Sequence, residues 1–304
     1  MKILLTGASG FLGNLIHDYL IANEMDVDTL GRHKEDSIQA DISIAIPAIK
    51  GHYDLVIHSA GKAHSVPKTV AEKKLFFDVN LEGTRNLLNS LSENPPKSFV
   101  FISSIAVYGI DRGFKINEGI PLNATDPYGL SKIEAEELVS AWCTQHQCIC
   151  CILRLPLLIG IDAPGNFGKM VVAIKNGSYF RIGDGGGRKS MLLAMDVPPI
   201  ALALAPLGGT YNLSDFTDPS FAEIETILGE NFKVKIKKMP FMIAKLIAYV
   251  GDLANFITQR RISPIDTRAY RKITYSLTLD ASRLKNTISW TPKSVLDFIK
   301  NNIH

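Results

Sequence analysis

Short apolar runs alternate with amphipathic stretches along the first half of the chain. Apolar runs bounded by turn residues predict strands at KILLTG, VDTLG, YDLVIHSAG, SFVFISS and CICCILRLPLLIG. Polar and apolar residues at helical spacing predict helices in FLGNLIHDYLIAN, from Ala71 to Asn94 and from Pro127 to His146. Because alternating strands and helices build a parallel sheet covered on both faces, the pattern predicts the α/β class with a doubly wound (Rossmann) sheet.

The second half of the chain has a different pattern. From Asn166 onward it is helical and irregular, and GTYNLS at 209–214 predicts one further strand that returns to the sheet. We therefore expect a sheet domain at 1–164 and 191–216, with a smaller, mostly helical lobe at 165–190 and 217–304.

One segment of that lobe, MPFMIAKLIAYVGDLANFI at 239–257, is apolar enough to raise the question of a membrane. Lys245 and Asp252 interrupt it and Gly251 weakens it, which argues against a bilayer span. We expect a helix that packs over the site, without membrane contact; an interfacial helix is the alternative.

Composition and charge exclude several classes of protein. With 304 residues, of which 46% are hydrophobic and 21% charged, the chain can bury a sizeable core. The formal net charge is +3 and no long Lys/Arg block occurs, so no nucleic-acid partner is expected. The start, MKILLTGAS, is too short for a secretory signal or a membrane span, which predicts a cytoplasmic protein.

Four cysteines, at positions 143, 148, 150 and 151, lie within nine residues and suggest a metal cluster at first sight. Neighbouring residues of a strand point to opposite faces, however, so these thiols cannot all reach one ion. Cysteine also behaves as a small buried hydrophobe. We therefore expect buried cysteines and no metal.

Three glycines, Gly7, Gly10 and Gly13, stand where the first strand runs into the first helix. In such a turn Gly7 would supply the tight bend, Gly10 the close approach of backbone amides to a pyrophosphate, and Gly13 the close packing of helix on sheet. The helix N-terminus would offer unpaired N–H groups to the anion. The turn therefore predicts a dinucleotide site.

Tyr128 and Lys132 stand four residues apart at the start of a predicted helix and therefore share one face. A phenol is a poor base at neutral pH, but a nearby ammonium and a positive nicotinamide ring favour phenolate. Ser104 closes the strand SFVFISS, at the sheet edge where ligands bind in open α/β sheets. Together the three residues predict an acid–base triad for exchange of hydride with a substrate hydroxyl.

The motifs TGASGFLG, QADI, VIHSAG, DVNLEGTRNLL, SSIAVYG, YGLSK and LRLP resemble the extended short-chain dehydrogenase/reductase family, in its nucleotide-sugar epimerase/dehydratase group. The resemblance implies a homodimer with a nucleotide-sugar substrate, whose diphosphate would meet Asn166 and Arg188. The same resemblance implies that Asp41 and Ile42 meet the adenine of the cofactor and that Lys132 also holds the nicotinamide ribose. The implied cofactor contacts are Gly7, Ser9, Gly10, Phe11, Leu12, Gly13, Arg32, Asp41, Ile42, Ala60, Gly61, Asn80, Ser103, Tyr128, Lys132 and Pro156.

Two departures from the family pattern bear on the reaction and the cofactor. The group's 4,6-dehydratases carry Asp-Glu after the triad hydroxyl, whereas Ile105 and Ala106 stand here and cannot move protons. The second predicted strand ends in Gly31-Arg32 instead of an acid, which favours NADP over NAD because arginine pairs with a 2′-phosphate.

Three functions follow as alternatives. The first is an epimerase for the 4-position of a UDP-hexose or UDP-N-acetylhexosamine, which serves polysaccharide biosynthesis and consumes no cofactor overall. The second is an NADPH-dependent 4-keto-sugar reductase, and the third a non-catalytic dinucleotide sensor. The intact triad argues against the third.

Overall fold

The computed structural model describes residues 1–63, 65–258 and 266–304. The strands of this part of the chain are β1 Lys2–Thr6, β2 Asp26–Gly31, β3 Ile38–Gln39, β4 Leu55–His58, β5 Ser98–Ser104, β6 Gly113–Ile116, β7 Ile149–Leu155, β8 Leu157–Ile159, β9 Phe180–Ile182, β10 Met191–Leu193, β11 Gly209–Asn212, β12 Lys237–Met239 and β13 Leu277–Leu279.

The helices of the same residues are α1 Phe11–Ala22, α2 Val70–Phe77, α3 Gly83–Leu91, α4 Pro127–Gln145, α5 Gly165–Lys175, α6 Val197–Leu204, α7 Phe221–Asn231, α8 Phe241–Thr258, α9 Thr267–Thr274, α10 Ser282–Thr287 and α11 Val295–Asn302. A π-helical turn, Asp78–Glu82, joins α2 to α3, and a 3₁₀ turn, Ile105–Tyr108, follows β5.

Seven of the described strands form one parallel sheet in the order β11-β7-β5-β4-β1-β2-β3. One layer of core covers each face, because successive residues of the central strands point to opposite sides. Leu5 and Ile57 pack on one side with α1 and α6, whereas Leu4 and Val56 pack on the other with α3 and α4. The doubly wound parallel sheet predicted from the sequence is confirmed.

The predicted strand at 148–159 is divided at Pro156. A proline cannot donate a ladder hydrogen bond, so β7 ends at Leu155. The continuation, β8, leaves the main sheet and pairs with β10. The predicted strand GTYNLS is found as β11, which pairs in parallel with β7.

The smaller elements surround a third core of α5, α7 and α11, in which Phe167, Ile224 and Ile299 are buried. Two further strand pairs, β6 with β13 and β9 with β12, connect distant parts of the chain. The boundaries that the sequence predicts for the two lobes stay a prediction.

Three of the four cysteines are buried as predicted, and Cys150 is partly exposed. Cys151 belongs to the core on one face of the sheet, and Cys143 and Cys148 to the core on the other. In the described residues no group of three or more His, Cys, Asp or Glu side chains is placed to hold a metal ion.

Candidate active site

The glycine turn lies between β1 and α1 and leaves no room for side chains. Gly7 has φ +77° and backs onto the amide of Ala60. A Cβ on Gly13 would lie 1.8 Å from the carbonyl oxygen of Gly7, so helix and strand touch there through backbone alone. The amide of Gly10 donates to the same carbonyl at 3.0 Å, and Gly10 caps α1 without a side chain.

The first turn of α1 also carries no acidic residue. Its backbone N–H groups and the positive end of the helix dipole are therefore open to an anion. The exposed Ser9 stands in the turn, Leu12 packs on the core below it, and the ring of Phe11 lies against Gly160. These features fit the pyrophosphate of a dinucleotide.

The loop after β2 carries the residues predicted to meet the adenosine. Arg32 is largely exposed, and its guanidinium lies 3.9 Å from the Asp41 carboxylate. Asp41 also accepts hydrogen bonds from the amide and hydroxyl of Ser43, at 3.0 and 2.6 Å. Ile42 is buried against Gly83.

One acidic residue of this loop, Asp36, was not predicted from the sequence. The Asp36 carboxylate lies directly against Gly31 and accepts from the amide of His33 at 2.9 Å. It stands at the end of β2, where the family pattern places an acid, although it comes five residues later in the chain. The signal available in the sequence was an acidic residue in the loop that follows β2.

Asn80 joins the loop after β4 to the catalytic helix. It is buried in the π-helical turn, and its side-chain amide donates to the Ser131 hydroxyl at 2.9 Å. Its carbonyl oxygen accepts from the amide of Lys62 at 2.6 Å. A Cβ on Gly61 would lie 3.2 Å from Asn80 and 3.4 Å from the Lys132 ammonium. The predicted residues Gly61, Asn80 and Lys132 therefore meet.

The predicted triad comes together at the carboxyl end of β5. Helix α4 begins at Pro127 after the Asp126 cap, and Tyr128 and Lys132 follow on one face. The Ser104 hydroxyl accepts from the amide of Ala106 at 3.2 Å, and its side chain is near enough to Tyr128 to influence the pKa of the phenol. Burial raises the pKa of Tyr128, and the interaction with Ser104 opposes that rise.

Lys132 is buried, and its ammonium donates to the Ile102 carbonyl at 2.9 Å. Burial lowers the pKa of Lys132 to about 8. In the protein alone, burial raises the pKa of Tyr128 more than the neighbouring groups lower it. Tyr128 is therefore a neutral phenol until further positive charge enters the site.

A second buried chain of hydrogen bonds links the glycine turn to the catalytic helix, and sequence reasoning missed it. The Thr84 hydroxyl donates to the backbone carbonyl of Asn80 at 2.6 Å. Because its proton is used there, the same hydroxyl accepts a hydrogen bond from His58 Nε2, 2.9 Å away. His58 Nδ1 in turn accepts from the hydroxyl of Thr6, 2.6 Å away, directly before the turn. Burial, then the charge of Lys132, lowers the pKa of His58 to about 3, so the imidazole is neutral.

A buried ion pair holds α4 one turn beyond Lys132, on the same helix face, and it was also not predicted from the sequence. Arg154 on β7 binds both oxygens of Glu136, two helical turns beyond Tyr128. The guanidinium also donates to the Tyr108 hydroxyl at 3.1 Å. Ser103, a predicted cofactor contact, donates its hydroxyl to Glu136. The motifs LRLP and SSIAVYG contain Arg154, Ser103 and Tyr108, but only a long-range contact reveals that Arg154 pairs with Glu136.

The predicted substrate residues lie in the smaller elements of the fold. Asn166 is exposed in the first turn of α5. Arg188 is half-exposed; it donates to the Asp218 carbonyl at 3.0 Å and lies 3.7 Å from the Glu223 carboxylate. Pro156 is buried where β7 passes into β8. Their contacts with ligands stay a prediction.

Fold and site define a Rossmann-type protein for a nicotinamide dinucleotide. Residues 3–206 match the NAD dependent epimerase/dehydratase family. The chain therefore belongs to that family of enzymes.

Curated relatives and solved structures agree with this assignment. The chain is 26% identical to N-acetyl-alpha-D-glucosaminyl-diphospho-ditrans,octacis-undecaprenol 4-epimerase of Escherichia coli O157:H7, over 94% of this chain and 89% of the relative. It is also 26% identical to UDP-glucose 4-epimerase of Vibrio cholerae, over 97% of this chain and 92% of that relative. The structure of Bacillus cereus UDP-glucuronic acid 4-epimerase in complex with NAD superimposes with a TM-score of 0.73 at 18% identity, covering 99% of this chain and 94% of that one.

Proposed function

We propose that this protein is an epimerase for the 4-position of a nucleotide-activated hexose or N-acetylhexosamine. The observation that carries the proposal is the placement of Ser104 at the end of β5 next to the helix that carries Tyr128 and Lys132, with the apolar Ile105 and Ala106 after the serine. The two relatives described above, from Escherichia coli O157:H7 and Vibrio cholerae, are both named as 4-epimerases.

Each side chain has a defined task in this reaction. Tyr128 takes the proton of the substrate's 4-hydroxyl and later returns it, while Ser104 hydrogen-bonds the same oxygen. Lys132 supplies positive charge on the same helix face as Tyr128, and the buried contacts of α4 keep the three groups in register. A bound nicotinamide supplies the reversible hydride acceptor for carbon 4. Gly7, Gly10, Gly13 and the N-terminus of α1 would hold its pyrophosphate.

NADP is the proposed form of the cofactor. Its support is Arg32, whose exposed guanidinium can form charge-assisted bonds with a 2′-phosphate. The Asp36 and Asp41 carboxylates act against it. Affinities of wild type and Arg32→Ala for NADP and NAD decide the matter, since only the NADP affinity should fall if Arg32 meets the phosphate.

A cytoplasmic homodimer that serves polysaccharide biosynthesis completes the proposal. Its support is the resemblance to the epimerase/dehydratase group. Light scattering of the purified protein measures the oligomeric state.

The experiment that tests the function is a substrate panel. UDP-hexoses and UDP-N-acetylhexosamines are incubated with the protein, with and without added NADPH. Epimer formation without stoichiometric loss of NADPH supports the proposal. Strict dependence on a 4-keto sugar plus NADPH would establish the reductase instead.

Tyr128→Phe gives the matched mutational test. Removing the acid–base hydroxyl should lower kcat by roughly 100-fold to 10,000-fold. Tyr19→Phe, on α1 away from the triad, should keep wild-type activity. Unchanged turnover of Tyr128→Phe would refute the catalytic assignment.

A polyprenyl-diphospho-N-acetylhexosamine is the second candidate substrate. The relative from Escherichia coli O157:H7 is named for such a molecule. The specific observation in its favour is helix α8, which presents apolar side chains to solvent. Adding this substrate to the panel shows whether the protein acts on a sugar linked to a nucleotide or on one linked to a polyprenyl diphosphate.

A further inference from the structure

Helix α8 is attached to the protein by a narrow strip of small residues. Ala244, Ala248 and Gly251 are its buried residues, spaced along one face. Asp252 accepts a hydrogen bond from the amide of Thr267 at 3.3 Å, which ties α8 to α9. The expected packing of this helix over the site is therefore limited to one edge.

The opposite face of α8 is apolar and exposed. Positions 242, 246, 249, 250, 253, 256 and 257 project on the side away from the small residues, because they are offset from them by about half a turn. Together they define the outer face of α8: Met242, Leu246, Tyr249, Val250, Leu253, Phe256 and Ile257. Each of these residues is more than half exposed, Met242 at 83% and Phe256 at 78%.

This arrangement is the reverse of a helix in a water-soluble protein, whose apolar stripe faces the core. Each of the seven side chains presents on the order of 100 Å² of apolar surface, so the patch exceeds the ~300–600 Å² typical of a monomer. A patch of that size marks a surface that meets an apolar partner. By length and composition alone α8 could cross a membrane, but its packed inner edge holds it against the body of the protein.

The charge of the segment that leads into α8 selects the partner. Four exposed lysines precede the helix, at 233, 235, 237 and 238, and Lys245 lies within it. No Asp or Glu occurs in the sequence between Glu230 and Asp252. An exposed apolar helix that follows a run of exposed lysines matches a bilayer with anionic headgroups, where each lysine adds about 1 kcal/mol near the surface.

The helix also contacts two segments that lead to predicted site residues. The ring of Phe241, at its start, lies against Gly183, in the loop that leads to Arg188. Arg268 on α9, which packs on α8, pairs with Asp126, the cap of the catalytic helix, at 3.1 Å. These contacts link α8 to the loop of Arg188 and to the start of the catalytic helix.

We propose that the outer face of α8 docks in the interface of an anionic phospholipid bilayer, with the helix lying in the membrane plane. The inference does not depend on the substrate or on the reaction. It takes up the alternative of an interfacial helix that the sequence left open.

Vesicle flotation tests the proposal with the purified full-length protein. We expect binding to vesicles of phosphatidylcholine with phosphatidylglycerol, weaker binding to phosphatidylcholine alone, and loss of part of the binding at high salt. Leu253→Glu with Phe256→Glu should lower the partition coefficient at least ~100-fold, because two large side chains can no longer enter the bilayer. Lys237→Glu with Lys238→Glu should weaken binding only to the anionic vesicles.

The matched control is Ile44→Glu with Phe114→Glu, which changes two apolar side chains that are 80% and 64% exposed elsewhere. It should bind vesicles like the wild type. Thermal melts check that all variants fold, and turnover of a soluble sugar nucleotide by the α8 variant separates this proposal from the proposed function. The proposal would be overturned if the wild-type protein did not float with vesicles. It would also be overturned if the α8 variant changed only the oligomeric state, from dimer to monomer in light scattering. That second result would assign the outer face of α8 to another copy of the chain.

Discussion

Acid should destabilise this protein through His58. The imidazole is fully buried, uncharged, and hydrogen-bonded at both ring nitrogens by Thr6 and Thr84. Its pKa of about 3 in the folded protein lies far below the ~6.5 of an unfolded chain. As pH falls below 6.5, the unfolded state takes up a proton that the folded state cannot, so the free energy of unfolding falls.

The size of the effect follows from the gap between the two pKa values. Each pH unit below 6.5 costs about 1.4 kcal/mol until the folded pKa is reached. Between pH 7.5 and pH 4.5 the contribution of His58 is therefore about 2.7 kcal/mol. The effect is absent above pH 7, where both states are neutral.

Urea denaturation of wild type and His58→Asn at both pH values measures this contribution. Asparagine keeps a donor and an acceptor but does not titrate, so His58→Asn should lose less stability than wild type on acidification, by about 2.7 kcal/mol. His52→Asn, at an exposed position, should behave like the wild type. An equal loss of stability in wild type and His58→Asn would refute the buried neutral histidine.

Two further predictions concern the turn and the ion pair. Gly13→Ala forces a Cβ onto the Gly7 carbonyl and should abolish retention of pyridine nucleotide, measured by calorimetry; Gly119→Ala, which meets only a side chain, is the control. Arg154→Met leaves the buried Glu136 carboxylate without its partner and should cost about 3–5 kcal/mol in the free energy of unfolding. Adding Glu136→Gln should recover much of that loss in urea melts, and an additive double variant would contradict a coupled pair.

Much of the fold and of the triad could be predicted because the signals are local. Strand KILLT, the glycine turn and helix α1 follow one another directly, so their contact requires no distant partner. Tyr128 and Lys132 share a face because helical geometry places residues four apart together. Ser104 reaches them because β5 ends where the ligand edge of a parallel sheet must lie.

Other features arise only from tertiary contacts. His58 meets Thr6, 52 residues away, and Thr84, 26 residues away, so no local pattern announces the chain of hydrogen bonds. Glu136 is an ordinary helix residue until Arg154 of β7 lies beneath it. Asp36 reaches the end of β2 only through the bend of its loop.

Helix α8 shows the difference most clearly. Its sequence determined an apolar helix, but periodicity alone does not say which face the rest of the protein covers. The tertiary structure buries the small residues Ala244, Ala248 and Gly251 and leaves the large ones in solvent. The physical reason is that a helix can expose any of its faces to water, and only the shape and apolar surface of its neighbours decide which one.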